Sequence, residues 1–136
     1  MRYENWPCRL QILLDAAREQ EFSWGTLDCC QWAGLAVEAQ TGVNPIAHIR
    51  GKYRTAIGAK RVLNRDFGGS LRAGVTLAMG DPVPPLMAGR GDLVLVDLDG
   101  TECVGVVDLS GERIAAIGLH GLEFVPLTAA VAAWKV

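Results

Sequence analysis

The sequence predicts an α+β fold, with helices first and an antiparallel sheet second, and three observations predict it. Residues 5–79 carry apolar side chains at helical spacing. Residues 92–127 alternate short strand-like runs with turn pairs. Between them, residues 81–91 hold Pro82, Pro84, Pro85, Gly89 and Gly91, a stretch that no helix can cross. Helices and strands segregated along the chain are the α+β pattern. Neither half alone would make a good core, so residues 1–136 are read as a single domain.

In the first half, Asn5 is placed to cap a helix whose first turn tolerates Pro7. Leu10, Leu13, Leu14 and Ala17 share one face, and Arg9, Gln11, Arg18 and Glu19 occupy the other. A break at Phe22-Ser23-Trp24-Gly25 precedes a central helix over 28–40. Cys29, Trp32, Ala33 and Ala36 form its stripe, Leu35 and Val37 widen it, and Gly42 suits a left-handed C-cap. Residues 42–53 read as a loop. Thr55 caps a helix over 56–65 that ends before Gly68-Gly69, and Ser70 caps another over 71–79.

The second half reads as a meander of about four strands. The first covers 92–98, Asp99-Gly100 is a hairpin turn, and the return covers 103–108. Ser110-Gly111 turns into 113–117, and 122–127 completes the set. Thr128 is expected to cap a short terminal helix ending near Trp134.

Composition excludes several classes. Half of the residues are apolar, enough for one core, and only 21% are charged, which argues against long disordered stretches. The net charge is -2 and the thirteen basic residues are scattered, so nucleic acid is not expected as a partner. No apolar run approaches the length of about 18 residues that a membrane span needs. The start MRYENWPCRL lacks the pattern of a secretory signal, so folding in a cytoplasm is expected. The four cysteines are Cys8, Cys29, Cys30 and Cys103. A reducing cytosol argues against disulfides, and none of the cysteines has the two-to-four-residue spacing of a zinc pair, so no metal or cofactor is expected.

The segment Phe22-Ser23-Trp24-Gly25-Thr26-Leu27-Asp28-Cys29 resembles the aromatic-x-Trp-Gly…Asp-Cys signature of the NlpC/P60 branch of papain-like cysteine peptidases. Arg90-Gly91-Asp92-Leu93-Val94 is similar to the Gly-Asp-Leu that opens that family's first long strand. Val104-Gly105-Val106-Val107 is similar to its next strand. The resemblance covers residues 20–127, with the three motifs in the family's order. It implies a papain-like fold in which Cys29 is the nucleophile at the start of the central helix. There the helix terminus carries roughly half a positive charge that favours thiolate. Trp24, Asp28 and Cys30 would lie at the cleft.

The same resemblance implies that the catalytic machinery is dismantled. The family's catalytic His position is Cys103 here, and its third polar position is Ala115, so Cys29 alone remains of the vestigial set Cys29, Cys103, Ala115. A thiol without a base loses the proton transfers that are typically worth about 10²–10⁴-fold. Cys103 is a poor substitute, with a reference pKa of about 8.5 and no second nitrogen for a partner to orient. His48 reads as a loop residue. His120, in the turn Gly118-Leu119-His120-Gly121, would serve as a base only if its loop folds back onto Cys29.

A further pattern runs through Asp28-Cys29 and Trp32-Ala33, then Arg50-Gly51-Lys52-Tyr53-Arg54-Thr55-Ala56, then Gly121-Leu122-Glu123-Phe124-Val125-Pro126-Leu127. It resembles a family of small proteins encoded in phage and prophage tail modules, near the genes for tail-tip hub proteins. This implies a non-catalytic structural protein of the virion tail tip, with other tail proteins as partners. The alternatives are a cysteine peptidase or amidase on peptidoglycan peptides using Cys29, and a small binding domain that keeps a cleft without chemistry.

Plainer readings stand beside these. Cys29 is equally a small buried hydrophobe, and Cys8 and Cys30 are read as core or near-core fillers. Trp24 and Trp32 suit a core or cleft wall, and Asp28 a helix cap. Arg50, Lys52, Arg54, Lys60, Arg61 and Arg65 are read as a solvated face, with docking of an acidic neighbour as the alternative.

Overall fold

A computed structural model describes residues Met1–Val136. Helix α1 (Trp6–Ala17) buries Leu10, Leu14 and Ala17, as the spacing predicts, and takes Pro7 in its first turn. Asn5 stands at the cap position, but its side chain makes no capping hydrogen bond. Cys8, expected at or near the core, is exposed. It lies two residues from Leu10, about 200° around the helix from the buried stripe.

Helix α2 (Cys29–Thr41) begins where Asp28 accepts a hydrogen bond from the backbone N–H of Gln31, and ends where Gly42 takes a left-handed φ of 83°. Gln31, Trp32, Ala33, Gly34, Ala36, Val37 and Gln40 are all buried, so α2 is packed on nearly every side. Helix α3 (Ala56–Asp66) and helix α4 (Leu71–Met79) start at Thr55 and Ser70, whose hydroxyls accept from the N–H three residues on. Each buries one residue fully, Val62 and Gly74, so both are peripheral. No helix is long and apolar enough to cross a membrane.

The sheet holds strands β1 (Leu93–Leu98), β2 (Thr101–Val107), β3 (Arg113–Gly118), β4 (Gly121–Pro126) and β5 (Ala132–Trp134), in the order β4-β3-β2-β1-β5. All neighbours are antiparallel. The β1–β2 hairpin turns at Asp99 and Gly100, both at positive φ, the backbone of a tight two-residue turn that matches strand twist. The expected terminal helix is absent. Residues 127–129 form a single 3-10 turn, and Ala132, Ala133 and Trp134 pair with Leu95, Val94 and Leu93. Alanine favours helix locally, but an unfilled edge of β1 offers backbone partners and burial, and that tertiary gain overrides propensity. The sheet therefore has five strands, not about four.

Strand alternation divides the interior in two. Leu93, Leu95, Val104, Val106, Ala115 and Ile117 pack with Leu10, Leu14, Trp32 and Ala36 of the helices. Val94, Val96, Cys103, Val107, Ile114 and Ala133 form a second cluster, covered by Val83, Ala88, Leu127 and Ala130. Burying each large aliphatic side chain contributes about 1.5–3 kcal/mol. The seam between β2 and β3 is short: only Val106↔Ala115 and Val107↔Ile114 pair, whereas β1–β2 and β3–β4 each pair over six positions. Gly105 permits even that contact, since a Cβ there would press into Ile114 and the carbonyl of Ala115.

Candidate functional site: a three-thiol cluster at the start of the central helix

The site is built from the loop that launches α2. Ser23 and Leu27 close it through a backbone bridge, and Gly25 turns at φ 80° against the backbone of Tyr53, where any side chain would collide. The carboxylate of Asp28 organises this loop. It accepts from the N–H of Gly25 at 2.9 Å, the N–H of Gln31 at 2.9 Å and the phenolic O–H of Tyr53 at 2.5 Å. Asp28 is 3% exposed, and these three donors replace its hydration. Cys29 and Cys30 follow at once, in the first turn of the helix.

Sequence reading assigned Asp28 a capping role, and the structure gives it that role. It did not single out Tyr53, which lies twenty-five residues away. Burial, together with the carboxylate accepting its proton, pushes the Tyr53 phenol well above its ordinary range. An acid held protonated in the folded state gives stability that is intact below the unfolded pKa of about 10 and declines as pH rises beyond it. Thermal melts between pH 8 and pH 11 are therefore expected to show an alkaline loss of stability that is shallower in Tyr53→Phe. Equal slopes in the two proteins would refute this assignment.

Cys103 reaches the same place from β2. The Sγ atoms of Cys29 and Cys30 are 3.9 Å apart, and Cys29 packs against the sheet cluster that contains Cys103. Cys29 and Cys30 are partly exposed and Cys103 is buried. Among the three, Cys29 ionises first. Interaction with the Cys103 and Cys30 thiols, and with the backbone at Val104 and Cys30, outweighs its burial and holds its pKa well below the ordinary thiol range. Its place at a helix N-terminus acts in the same direction. The other two thiols move the other way. Hydrogen bonding to Cys29, burial and the negative charge of Cys29 raise Cys103, with Glu123 and Asp97 adding to the effect. Cys30 is raised by the same three influences and by Asp28. No group of three or more His, Cys, Asp or Glu side chains is arranged to hold a metal ion.

A cavity of about 610 Å³ opens onto the cluster. Its walls are mainly apolar and come from α2, the 3-10 turn Ala47–Ile49, α3, α4 and the ends of β2 and β3. Trp24, packed edge-on against Phe22 at 4.8 Å between centroids, forms part of the wall. Trp32 is fully buried in the core instead.

The other sequence candidates separate. Ala115 is buried in the helix-side core opposite Val106 and does not line the cavity, so it is not brought to the thiols. His120 lies in the exposed β3–β4 turn at the cavity's rim and makes no hydrogen bond to Cys29. His48 is exposed in the 3-10 turn, 6.1 Å from the Phe67 ring between centroids. Arg50, Lys52, Arg54, Lys60, Arg61 and Arg65 are exposed, as a solvated face requires; Arg65 pairs with Asp66 at 2.9 Å and Lys60 borders the cavity.

Fold and site together define an α+β protein with a thiol cluster at the mouth of an apolar cavity. The whole chain, residues 1–136, matches the family described as a domain of unknown function, DUF6950, and it belongs to that family. No curated protein matches it.

Proposed function

We propose that this chain is a non-catalytic structural component of a phage or prophage tail, at the tail tip, built on a papain-like NlpC/P60-type fold whose peptidase site is retired. The observation that carries the loss of catalysis is the partner of Cys29: the sheet presents the thiol of Cys103, and no imidazole contacts the sulfur. The fold reading is supported by a cysteine opening a central helix that packs on an antiparallel sheet, in the motif order given above. The tail reading rests on the motif resemblance, and other tail proteins are the partners it implies. Mass spectrometry of purified virions is expected to find the protein in stoichiometric amount with tail-tip proteins. Its absence from virions would refute the assignment.

A second reading, a cysteine peptidase or amidase acting on peptidoglycan peptides, is favoured by one observation, the place of Cys29 at a helix start beside an open cavity, with its thiol pKa lowered. Amide cleavage also needs a proton for the leaving amine. Cys103 and Cys30 hold theirs more tightly than ordinary thiols, so neither is a useful general acid. Purified muropeptides are expected to survive incubation with the protein unchanged. Cleavage that disappears in Cys29→Ala would establish the peptidase instead.

A further inference from the structure

A retired peptidase site has no use for three thiols, yet the fold gathers them. Cys29 and Cys30 come from one helix turn and Cys103 from β2, beside a seam that pairs at only two positions. The site opens onto the cavity of about 610 Å³, whose mainly apolar lining suits an uncharged organic molecule better than a polar one.

Geometry decides which sulfurs can join. Adjacent residues have Cα atoms about 3.8 Å apart, below the roughly 4.4 Å at which ordinary disulfides begin. Cys29 and Cys30 also share a helical turn that such a bridge would break. Cys103 comes from a different element, belongs to the sheet cluster against which Cys29 packs, and lines the same cavity as Cys29.

We propose that Cys29 and Cys103 form a thiol–disulfide exchange pair that reduces small, apolar, low-molecular-weight disulfides admitted to the cavity. In the first step the Cys29 thiolate attacks one sulfur of the substrate R–S–S–R. A Cys29–S–S–R bond forms, the substrate's S–S bond breaks, and RS⁻ leaves with the electron pair. In the second step Cys103 loses its proton to the released thiolate and attacks Cys29 Sγ. The mixed disulfide breaks and a second RS⁻ departs. Two protein thiols are oxidised to one disulfide, and one substrate disulfide is reduced to two thiols.

The electrostatics suit this order. Cys29 is the thiol of the three that loses its proton most readily, as the attacking thiol should. Cys103 holds its proton through its interaction with the Cys29 sulfur, through burial and through the charge of Cys29. Once Cys29 is capped its charge no longer opposes ionisation of Cys103, and burial is what remains to be overcome. No leaving amine needs a proton, so the missing histidine is no obstacle. Cys30 stays reduced beside Cys29.

The test uses the full chain with Cys8→Ser, which removes the exposed thiol. The probe is 4,4′-dithiodipyridine, a neutral aromatic disulfide whose thione product absorbs light. Two equivalents of thione per chain are expected. The first should appear at least about tenfold faster than from free cysteine at pH 6, where an ordinary thiol is almost wholly protonated. Peptide mapping in acid should then locate a Cys29–Cys103 disulfide that dithiothreitol reverses. Adding Cys103→Ala should stop the reaction at one equivalent and leave the thiopyridyl group on Cys29. Should that variant fail to fold by circular dichroism, the bridge mapped in the Cys8→Ser protein decides alone. Labelling no faster than free cysteine, or a bridge between any other pair, would overturn the proposal.

Discussion

Replacing Asp28 with alanine is expected to destabilise the fold by about 3–4 kcal/mol. Three donors converge on this one carboxylate: the Gly25 N–H, the Gln31 N–H and the Tyr53 hydroxyl. Loss of a side-chain cap alone costs about 1 kcal/mol. Each buried donor left without a partner costs about 1–3 kcal/mol, and the site is nearly closed to replacement water. Urea melts should show the midpoint falling with little change in slope. Because the carboxylate fixes the turn that carries Cys29, thiol reactivity should fall with stability. In a double-mutant cycle, Asp28→Ala should cost less in a Tyr53→Phe background, since one orphaned donor is already gone. A loss below about 1 kcal/mol would show that the loop rearranges to satisfy itself.

Asp92 is the second sensitive carboxylate, and Asp92→Ala is expected to cost about 2–4 kcal/mol. It is 1% exposed and lies at the entry to β1. Arg2 reaches one oxygen at 3.2 Å and Lys135 the other at 2.5 Å. The backbone N–H groups of Val136 and Gly89 donate to it at 3.0 Å and 2.9 Å. One side chain thus ties the segment before α1, the loop into β1 and the residues after β5. Removing it orphans two amides and frees both cations. Lys135 is half exposed and recovers hydration, so Lys135→Ala should cost less than about 1 kcal/mol. Thermal melts of the two variants side by side test the contrast, and equal losses would contradict it.

Much of the architecture was legible because its signals are local. Asp28, Thr55 and Ser70 each cap the helix that the sequence assigns to them, and each hydroxyl or carboxylate accepts from an N–H three residues on. Gly42 and the Asp99-Gly100 pair act through their own backbone angles. Errors fell where neighbours distant in sequence decide. Ala132 and Ala133 are good helix formers by themselves, and only the open edge of β1 makes them strand. Cys8 looked like a filler by residue type, but its angle around α1 faces solvent.

The site divides in the same way. Cys29 at a helix start and Asp28 as its cap follow from the sequence, because a helix terminus is a property of a few consecutive residues. The inward tilt of Tyr53 onto Asp28, the distance of Ala115 from the thiols, the cavity and the four-way contacts of Asp92 were decided only by tertiary structure. Hydrogen bonds and ion pairs between remote residues depend on how layers stack, and residue order alone does not encode that stacking in any short window. Sequence by itself determined where each element begins and what chemistry it carries; packing determined which of those chemistries meet.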